Sequence, residues 1–199
     1  CRIVGDRLSR PENSIQPFST GVIGEFLPMG KVEPAIDQAV ASLDPGSWES
    51  AARAIMTTDT QPKIVSSQFY LDDKLITLTG IAKGSGMIRP DMATMLAFMA
   101  SDIAIDRRLL KDLIKEISEM SFNRITVDGD TSTNDCFMLA CTGTAEMSPI
   151  IDKSDSRYAE ILKILGDGAK ALAQSIVRDG EGATKFVGVI VEGGANEQE

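Results

Sequence analysis

The feature that most constrains the fold is a pair of strand-like segments that lead into a glycine-rich loop and then into a third apolar segment. Residues 63–70 and 74–82 are rich in β-branched side chains and are separated by Asp72-Asp73, a pattern that predicts a β-hairpin. The second strand leads directly into Lys83-Gly84-Ser85-Gly86. The short apolar run 95–100 then predicts a buried strand. We therefore expect sheet pairing to hold the chain on both sides of the loop.

Amphipathic helical patterns flank these strands. Residues 31–43 carry apolar side chains at spacings of three and four, and Ser47 is a candidate N-cap for a second, short helix. The segments 106–120 and 154–177 have an apolar stripe with charged residues between its members. Residues 186–192 alternate and are β-branched, which predicts a closing strand. This order predicts an α/β domain with mixed sheets covered by helices.

Composition excludes several classes of partner. A chain of 199 residues falls within the range of one large domain, and its net charge of −9 opposes binding to phosphate backbones or anionic lipid. No apolar run approaches the length of a membrane span, and the first residues lack the apolar core of a signal peptide. We expect no nucleic-acid partner, no membrane and a location in the cytoplasm, or in the mitochondrial matrix of a eukaryote.

The three cysteines carry no metal-binding signature. No CxxC or Cys/His spacing suggests zinc, so buried thiols are the default interpretation for Cys1, Cys136 and Cys141, with reactivity or a disulfide as the alternative. On an extended strand, Cys136 and Cys141 would face opposite sides because they are five residues apart.

The sequence contains no histidine, so the usual Ser-His or Cys-His pair cannot be built from it. If the bond between Ala93 and Thr94 were cut, Thr94 would carry both a hydroxyl and a free α-amine, whose usual pKa of about 7.7–8.0 suits base work near neutral pH. Gly84 and Gly86 permit unusual backbone conformations and Pro90 fixes its own φ, so the loop could present this peptide bond in a strained shape. The alternative is an ordinary threonine at the head of a strand.

Two other motifs invite weaker interpretations. Gly84-Ser85-Gly86 could suggest a phosphate cradle, but the order of residues is not that of a nucleotide-binding loop. Asp128, Asp130 and Asp135 could suggest calcium, yet the glycine and terminal glutamate of an EF-hand are not at the required positions. A polar turn before a strand is the plain interpretation of these aspartates.

Several blocks of sequence, in this order, carry a family resemblance: Ser19-Thr20-Gly21-Val22-Ile23-Gly24, Thr57-Thr58-Asp59-Thr60, the segment 83–96, the segment 126–135, and Asp179-Gly180-Glu181-Gly182-Ala183-Thr184-Lys185. Together they resemble the ornithine acetyltransferase family, also called glutamate N-acetyltransferases. The resemblance covers about residues 14–194. Because members of the family are longer at both ends, the chain is expected to be the central part of one catalytic domain.

The resemblance implies a fold and a maturation step. The implied fold is an αββα sandwich, with stacked mixed sheets flanked by helices as in N-terminal-nucleophile enzymes but with its own topology. The precursor is expected to cut itself between Ala93 and Thr94. Residues 1–93 would then end the alpha chain, residues 94–199 would begin the beta chain, and the two chains would associate into a heterotetramer.

The resemblance also assigns roles to residues. It implies that Thr94 is the nucleophile and that Thr20 and Gly21 form the oxyanion hole, although a tight turn would account for that pair equally well. The substrate contacts that it implies are Thr57, Lys83, Thr94 and Glu181. By composition alone, Lys83 could be a solvated lysine and Glu181 part of a turn. The block 126–135 is a family signature without a defined role for each aspartate.

The implied reaction is a two-step exchange. N-acetylornithine acetylates Thr94, ornithine leaves, and glutamate takes the acetyl group to give N-acetylglutamate in arginine biosynthesis. No metal or bound cofactor is expected, and acetyl-CoA is a possible second donor. Two alternatives stay open: an amidase or aminopeptidase with the same nucleophile, and an inactive fragment with only an assembly role.

Overall fold

A mixed β-sheet forms the frame of the molecule. The computed structural model describes residues 1–89 and 95–195. Their sheet has four strands in the order β1-β2-β3-β4. The strands are β1 (Lys63–Leu71), β2 (Lys74–Lys83), β3 (Leu96–Ser101) and β4 (Cys136–Cys141). β1 and β2 form the predicted antiparallel hairpin, β3 pairs antiparallel with β2, and β4 runs parallel to β3.

Helices precede and follow the strands. They are α1 (Arg2–Leu8), α2 (Met29–Ala41), α3 (Trp48–Ala54), α4 (Arg107–Glu119) and α5 (Ser156–Arg178), with short 3-10 turns at Glu12–Ser14 and Phe122–Arg124. The carboxylates of Asp106 and Asp155 cap α4 and α5 by accepting hydrogen bonds from the backbone N–H groups of Arg108 and Arg157. None of the described helices is long and apolar enough to cross a membrane.

The hydrophobic core lies between one face of the sheet and the two longest amphipathic helices. α5 contacts β1 and β2, and α4 packs against α5 and β4. Fully buried side chains in this layer include Ile76, Leu78, Leu113, Leu165 and Leu172. Each such side chain contributes about 1.5–3 kcal/mol relative to an exposed one, so this layer anchors β2, the strand that leads into the loop.

The opposite face of the sheet is less covered. Tyr70 and Leu75 are exposed there, whereas Phe18 packs edge-on against Phe98 with ring centroids 5.4 Å apart.

The predicted α/β class with a mixed sheet and flanking helices is confirmed. Residues 1–89 and 95–195 form one sheet, so they do not contain the second sheet of the expected sandwich.

The predicted closing strand at 186–192 is wrong. This segment has no regular structure, and Val189 and Ile190 are 83% and 86% exposed. A strand requires a neighbour for its backbone N–H and C=O groups, and within the described chain no strand pairs with this segment. The β-branched composition alone was therefore an insufficient guide.

The cysteines only partly follow their prediction. All three are free, and Cys1 is exposed rather than buried. Cys136 and Cys141 lie at the two ends of β4, on opposite faces, and both are partly buried. Burial raises the pKa of both thiols, that of Cys141 to about 12, so they are protonated and poor nucleophiles near neutral pH.

Candidate active site

A cavity of about 550 Å³ opens where β2 runs into the glycine-rich loop. It is lined by Thr20, Gly21, Val22, Thr57, Thr58, Lys83, Gly84, Ser85, Gly86, Met87, Asp128, Asp130 and Glu181. The structure thus brings together the proposed oxyanion pair and three of the proposed substrate contacts, from segments far apart in the sequence. Ala93 and Thr94, at the predicted cleavage site, lie outside the described residues.

The start of β3 lies beside this cavity. Leu96 is the antiparallel partner of Lys83, which lines the cavity. Met95, which follows the predicted nucleophile in sequence, is only 1% exposed. Met95 is therefore held in the packed interior, next to the proposed substrate site.

Lys83 places a buried ammonium group at the cavity. The residue is 1% exposed, and its burial lowers the pKa, against the raising effect of the nearby Asp59 and Asp135 carboxylates. The positive charge of Lys63 lowers the pKa further. A lysine desolvated in this way suits the binding of an anionic group, because a carboxylate would favour its charged form.

A buried ion cluster supports the cavity wall. The Lys63 ammonium donates to Asp59 Oδ1 at 2.6 Å and to Asp179 Oδ2 at 2.7 Å. Asp59 also accepts hydrogen bonds from the backbone N–H groups of Gly84 (2.7 Å) and Thr57 (3.1 Å). One carboxylate therefore fixes both the threonine turn and the glycine loop.

The carboxylates of this cluster are ionised. Burial opposes the charge of Asp59 and of Asp179, but the hydrogen bonds that each accepts outweigh this effect and hold both pKa values below the usual one. Asp179 is the residue after α5, and its carboxylate also binds the backbone N–H and the hydroxyl of Thr60. The cluster thus ties the end of α5 to the threonine turn.

Sequence reasoning missed this cluster. Lys63 lies on the same face of β1 as Val65, Phe69 and Leu71, which pack in the core. The sequence did contain a signal for the cluster: Lys63 alternates in step with the core-facing residues of β1. A lysine on a buried face predicts carboxylate partners, because a buried ammonium requires them.

Glu181 reaches the cavity by contact with the glycine loop. Its backbone N–H donates to the carbonyl of Ser85 at 2.6 Å, and a Cβ built on Gly86 would lie 3.1 Å from the Glu181 carboxyl carbon. The hydroxyls of Ser85 and Thr58 share a 2.6 Å hydrogen bond. Gly86 therefore leaves the space in which the Glu181 carboxylate lies.

Two aspartates whose role the sequence left open contact the backbone of this loop. Asp128 accepts from the N–H groups of Met87 (2.6 Å) and Ile88 (3.1 Å), and Asp135 accepts from that of Met95 (2.7 Å). Burial raises the pKa of Asp128, but its backbone hydrogen bonds outweigh this and hold it below the usual value. Burial raises the pKa of Asp135, against the hydrogen bond from Met95.

In the described part of the chain, no group of three or more acidic or thiol side chains could hold a metal ion.

Thr20 and Gly21 reach the cavity from a segment without regular structure. Thr20 is half-buried, and residues 19–25 and Leu27 border a smaller pocket together with Thr133 and Asn134. The segment that contains Thr20 and Gly21 therefore lies beside the block 126–135, as well as beside the glycine loop.

Comparison with known proteins gives consistent matches. The model of the ArgJ family matches residues 1–199. The arginine biosynthesis bifunctional protein ArgJ of Pseudomonas syringae pv. tomato is 49% identical over 199 residues, which cover 100% of this chain and 49% of that protein. The protein of the same name from Pseudomonas fluorescens is 52% identical over 187 residues, covering 94% and 46%. The chain spans about half the length of these curated relatives.

Two solved structures are similar over shorter stretches. ArgJ from Bacillus halodurans is 43% identical with a TM-score of 0.40, and the match covers 42% of this chain and 39% of that one. The L-aminopeptidase D-Ala-esterase/amidase from Ochrobactrum anthropi is 14% identical with a TM-score of 0.42, and the match covers 60% and 40%.

Proposed function

Because the chain belongs to the ArgJ family, we propose that it forms part of a self-processing acetyltransferase of arginine biosynthesis that moves an acetyl group from N-acetylornithine to glutamate. The observation that carries the proposal is the single cavity shared by Thr20, Gly21, Thr57, Lys83 and Glu181, beside the start of β3. Both curated relatives are named bifunctional, which favours a second activity here as well. Acetyl-CoA is the second donor that we expect.

Maturation begins with the peptide bond between Ala93 and Thr94. The Thr94 hydroxyl oxygen attacks the Ala93 carbonyl carbon, the C–N bond breaks, and the nitrogen takes up the hydroxyl proton. Water then hydrolyses the resulting ester. The products are a carboxylate at Ala93 and a Thr94 that carries a free α-amine and a free hydroxyl, which gives one residue both the nucleophile and the base.

Acetyl transfer uses the same two groups. The α-amine takes the proton of the Thr94 hydroxyl as its oxygen attacks the acetyl carbonyl of N-acetylornithine, and it passes the proton to the departing ornithine amine. The amine of glutamate then attacks the acetyl ester, and the Thr94 hydroxyl is restored. Donors from Thr20 and Gly21 would stabilise the oxyanion in both steps, a contribution of about 2.7–4 kcal/mol for each donor.

The charges on the cavity walls suit amino-acid substrates. The Lys83 ammonium would bind the substrate carboxylate, the Glu181 carboxylate would hold a substrate amino group, and Thr57 would add a hydroxyl contact. Thr94 would supply the nucleophile and the base, and these three residues the binding groups, so the scheme uses no resident metal or cofactor.

Maturation also defines the proposed assembly. Two chains, ending at Ala93 and beginning at Thr94, would remain together because β2 and β3 pair across the cut. We expect them to form a heterotetramer in the cytoplasm, or in the mitochondrial matrix in a eukaryote.

The test is transfer of a labelled acetyl group by the full-length protein. Acetyl-labelled N-acetylornithine is incubated with and without glutamate, and the products are separated. Labelled N-acetylglutamate that forms only with glutamate, and is lost in Thr94→Ala but kept in Thr142→Ala, supports the proposal. Thr142 is an exposed threonine after β4 and serves as a matched control.

Two results would contradict the proposal. Free acetate at the same rate with or without glutamate would identify a hydrolase instead. No product, together with no calorimetric binding of ornithine or N-acetylornithine, would identify a protein with only an assembly role.

A further inference from the structure

The backbone of Ile88 is fixed on both sides by one distant segment. Its N–H donates to Asp128 Oδ1 at 3.1 Å, and its carbonyl accepts from the Val127 N–H and the Thr126 hydroxyl, both at 2.9 Å. Ile88 is 1% exposed. The backbone is therefore fixed at Ile88, which precedes the predicted cleavage site in the sequence.

Met95 is fixed in the same way on the other side of the cleavage site. Its N–H donates to Asp135 Oδ1 at 2.7 Å, and its carbonyl accepts from the Cys136 N–H at 3.0 Å. The parallel pairing of β3 and β4 begins at the next pair, Leu96 with Cys136. Met95 is therefore joined to the sheet as firmly as a strand residue.

A single segment, 126–136, thus holds both ends of the stretch that contains the predicted bond. We propose that Asp128 and Asp135 are positioning residues for self-cleavage, and that their carboxylates clamp the two ends of the loop carrying Ala93 and Thr94. This inference rests on the proposed function. An attack of a hydroxyl on the preceding carbonyl depends on holding the two groups in contact, and fixed loop ends reduce the conformations that compete with that geometry.

The Asp128 carboxylate is suited to this task by its charge. Asp128 accepts three backbone N–H bonds, from Met87, Ile88 and Asp130, and an ionised acceptor makes each bond stronger than a neutral one would. Met87 has a φ of +52°, which non-glycine residues rarely adopt. The clamp therefore stabilises a turn that the local sequence does not favour.

The experiment measures the rate of self-cleavage in the full-length protein. The protein is made by pulse-labelled cell-free translation, and the masses of the uncut chain and of its two products are followed with time. Asp128→Ala and Asp135→Ala remove the acceptors. Asp135→Asn keeps a neutral acceptor at the same reach, whereas Asp128→Asn keeps only one of the two oxygens that accept hydrogen bonds. We expect the Ala variants to cleave roughly tenfold more slowly or worse, and Asp135→Asn to lose about threefold, because a neutral acceptor makes a weaker bond. The rate of Asp128→Asn should fall between these, because this variant also loses one acceptor oxygen.

Asp106→Ala is the matched control. This substitution removes a carboxylate bonded to a backbone N–H at 2.8 Å, at the start of α4 and away from the loop. Its Tm should fall without a change in cleavage rate. A purely structural role for Asp128 and Asp135 would instead make the rate follow Tm in all of the variants.

The outcomes separate the two proposals. An uncut, folded wild type overturns the proposed function and this inference with it. A wild type cut before Thr94, with all four variants cut at the wild-type rate, overturns the clamp alone. If the Ala variants do not fold, the Asn variants decide: slower cleavage at unchanged Tm supports the clamp, and an unchanged rate overturns it.

Discussion

At the scale of single residues, the cavity combines a buried cation with an anion on a neighbouring loop. Lys83 is fixed by strand pairing at the end of β2, and Glu181 is fixed by the hydrogen bond of its N–H to Ser85. The backbones that carry these two charged side chains are therefore fixed at the cavity. Charges of opposite sign on one cavity wall favour a ligand that carries both a carboxylate and an amine.

Replacing Lys83 with methionine should weaken substrate binding. A charge-assisted hydrogen bond contributes about 1.5–3 kcal/mol, so KM for N-acetylornithine should rise roughly tenfold or more. Steady-state kinetics of the cleaved enzyme would check this, with Lys111→Met on the exposed side of α4 as the control. A wild-type KM in Lys83→Met would remove the lysine from the substrate site.

Replacing Thr20 with valine should affect rate rather than binding. The substitution keeps the shape of the side chain and removes its hydroxyl donor, so kcat should fall by about 10²–10³ while KM changes little, as for other oxyanion-hole donors. The same kinetic assay separates kcat from KM. A raised KM with an unchanged kcat would mean that Thr20 contacts the substrate without stabilising the oxyanion.

At the scale of structural elements, a buried ion cluster joins three parts of the fold. Lys63 opens β1, Asp59 belongs to the threonine turn, and Asp179 follows the end of α5. All three side chains are buried, so each charge depends on the others for its stability. The cluster thereby holds the turn and the glycine loop at the mouth of the cavity.

Asp59→Asn should destabilise the protein markedly at neutral pH. Loss of a partner from a buried ion pair costs about 3–5 kcal/mol, and the remaining Asp179 should keep the loss near the lower end. Asp167→Asn is the matched control, since its pair with Lys163 is on the exposed surface and should contribute about 0–1 kcal/mol. Equal losses of unfolding free energy in the two variants, measured with denaturant, would contradict this account.

The same cluster predicts an acid dependence of stability. The folded pKa of Asp59 and of Asp179 is lowered from 3.8, so their stabilising effect is fully present above that value and is lost as pH falls through the lowered pKa values. The difference in Tm between wild type and Asp59→Asn should therefore narrow below about pH 4. A constant difference down to acid pH would show that the carboxylate charge does not stabilise the fold.

Local sequence patterns predicted the elements that depend on near neighbours. The hairpin 63–70 and 74–82 and the long helix within 154–177 follow from side-chain periodicity, which the sequence displays directly. The ion pair of Lys63 with Asp179 joins residues 116 apart, and such a contact leaves no local pattern. The strand predicted at 186–192 failed for a related reason, because its neighbour could not be read from its own composition.

The candidate site shows the same division. The family resemblance named Thr20, Lys83 and Glu181, and these residues do line one cavity. Asp128 and Asp135 accept hydrogen bonds from backbone N–H groups about 40 residues away in the sequence. A backbone N–H is present at every residue except proline, so no sequence motif predicts such a contact. Their placement followed only from the folded chain.

At the scale of the whole molecule, the chain is an α/β unit that spans about half the length of its curated relatives. One face of its sheet packs against α4 and α5, while the other keeps exposed side chains such as Tyr70 and Leu75. The cavity lies at the end of β2, beside the start of β3. The unit therefore combines a packed core with the residues proposed for cleavage and acetyl transfer.

The most direct test of this account is the intact mass of the purified protein after incubation near neutral pH, beside Thr94→Ala. We expect the wild type to yield one chain that ends at Ala93 and one that begins at Thr94, and the variant to stay whole. A folded wild type that stays whole, or a variant that is cut at the same bond, would contradict the claim that Thr94 becomes an N-terminal nucleophile.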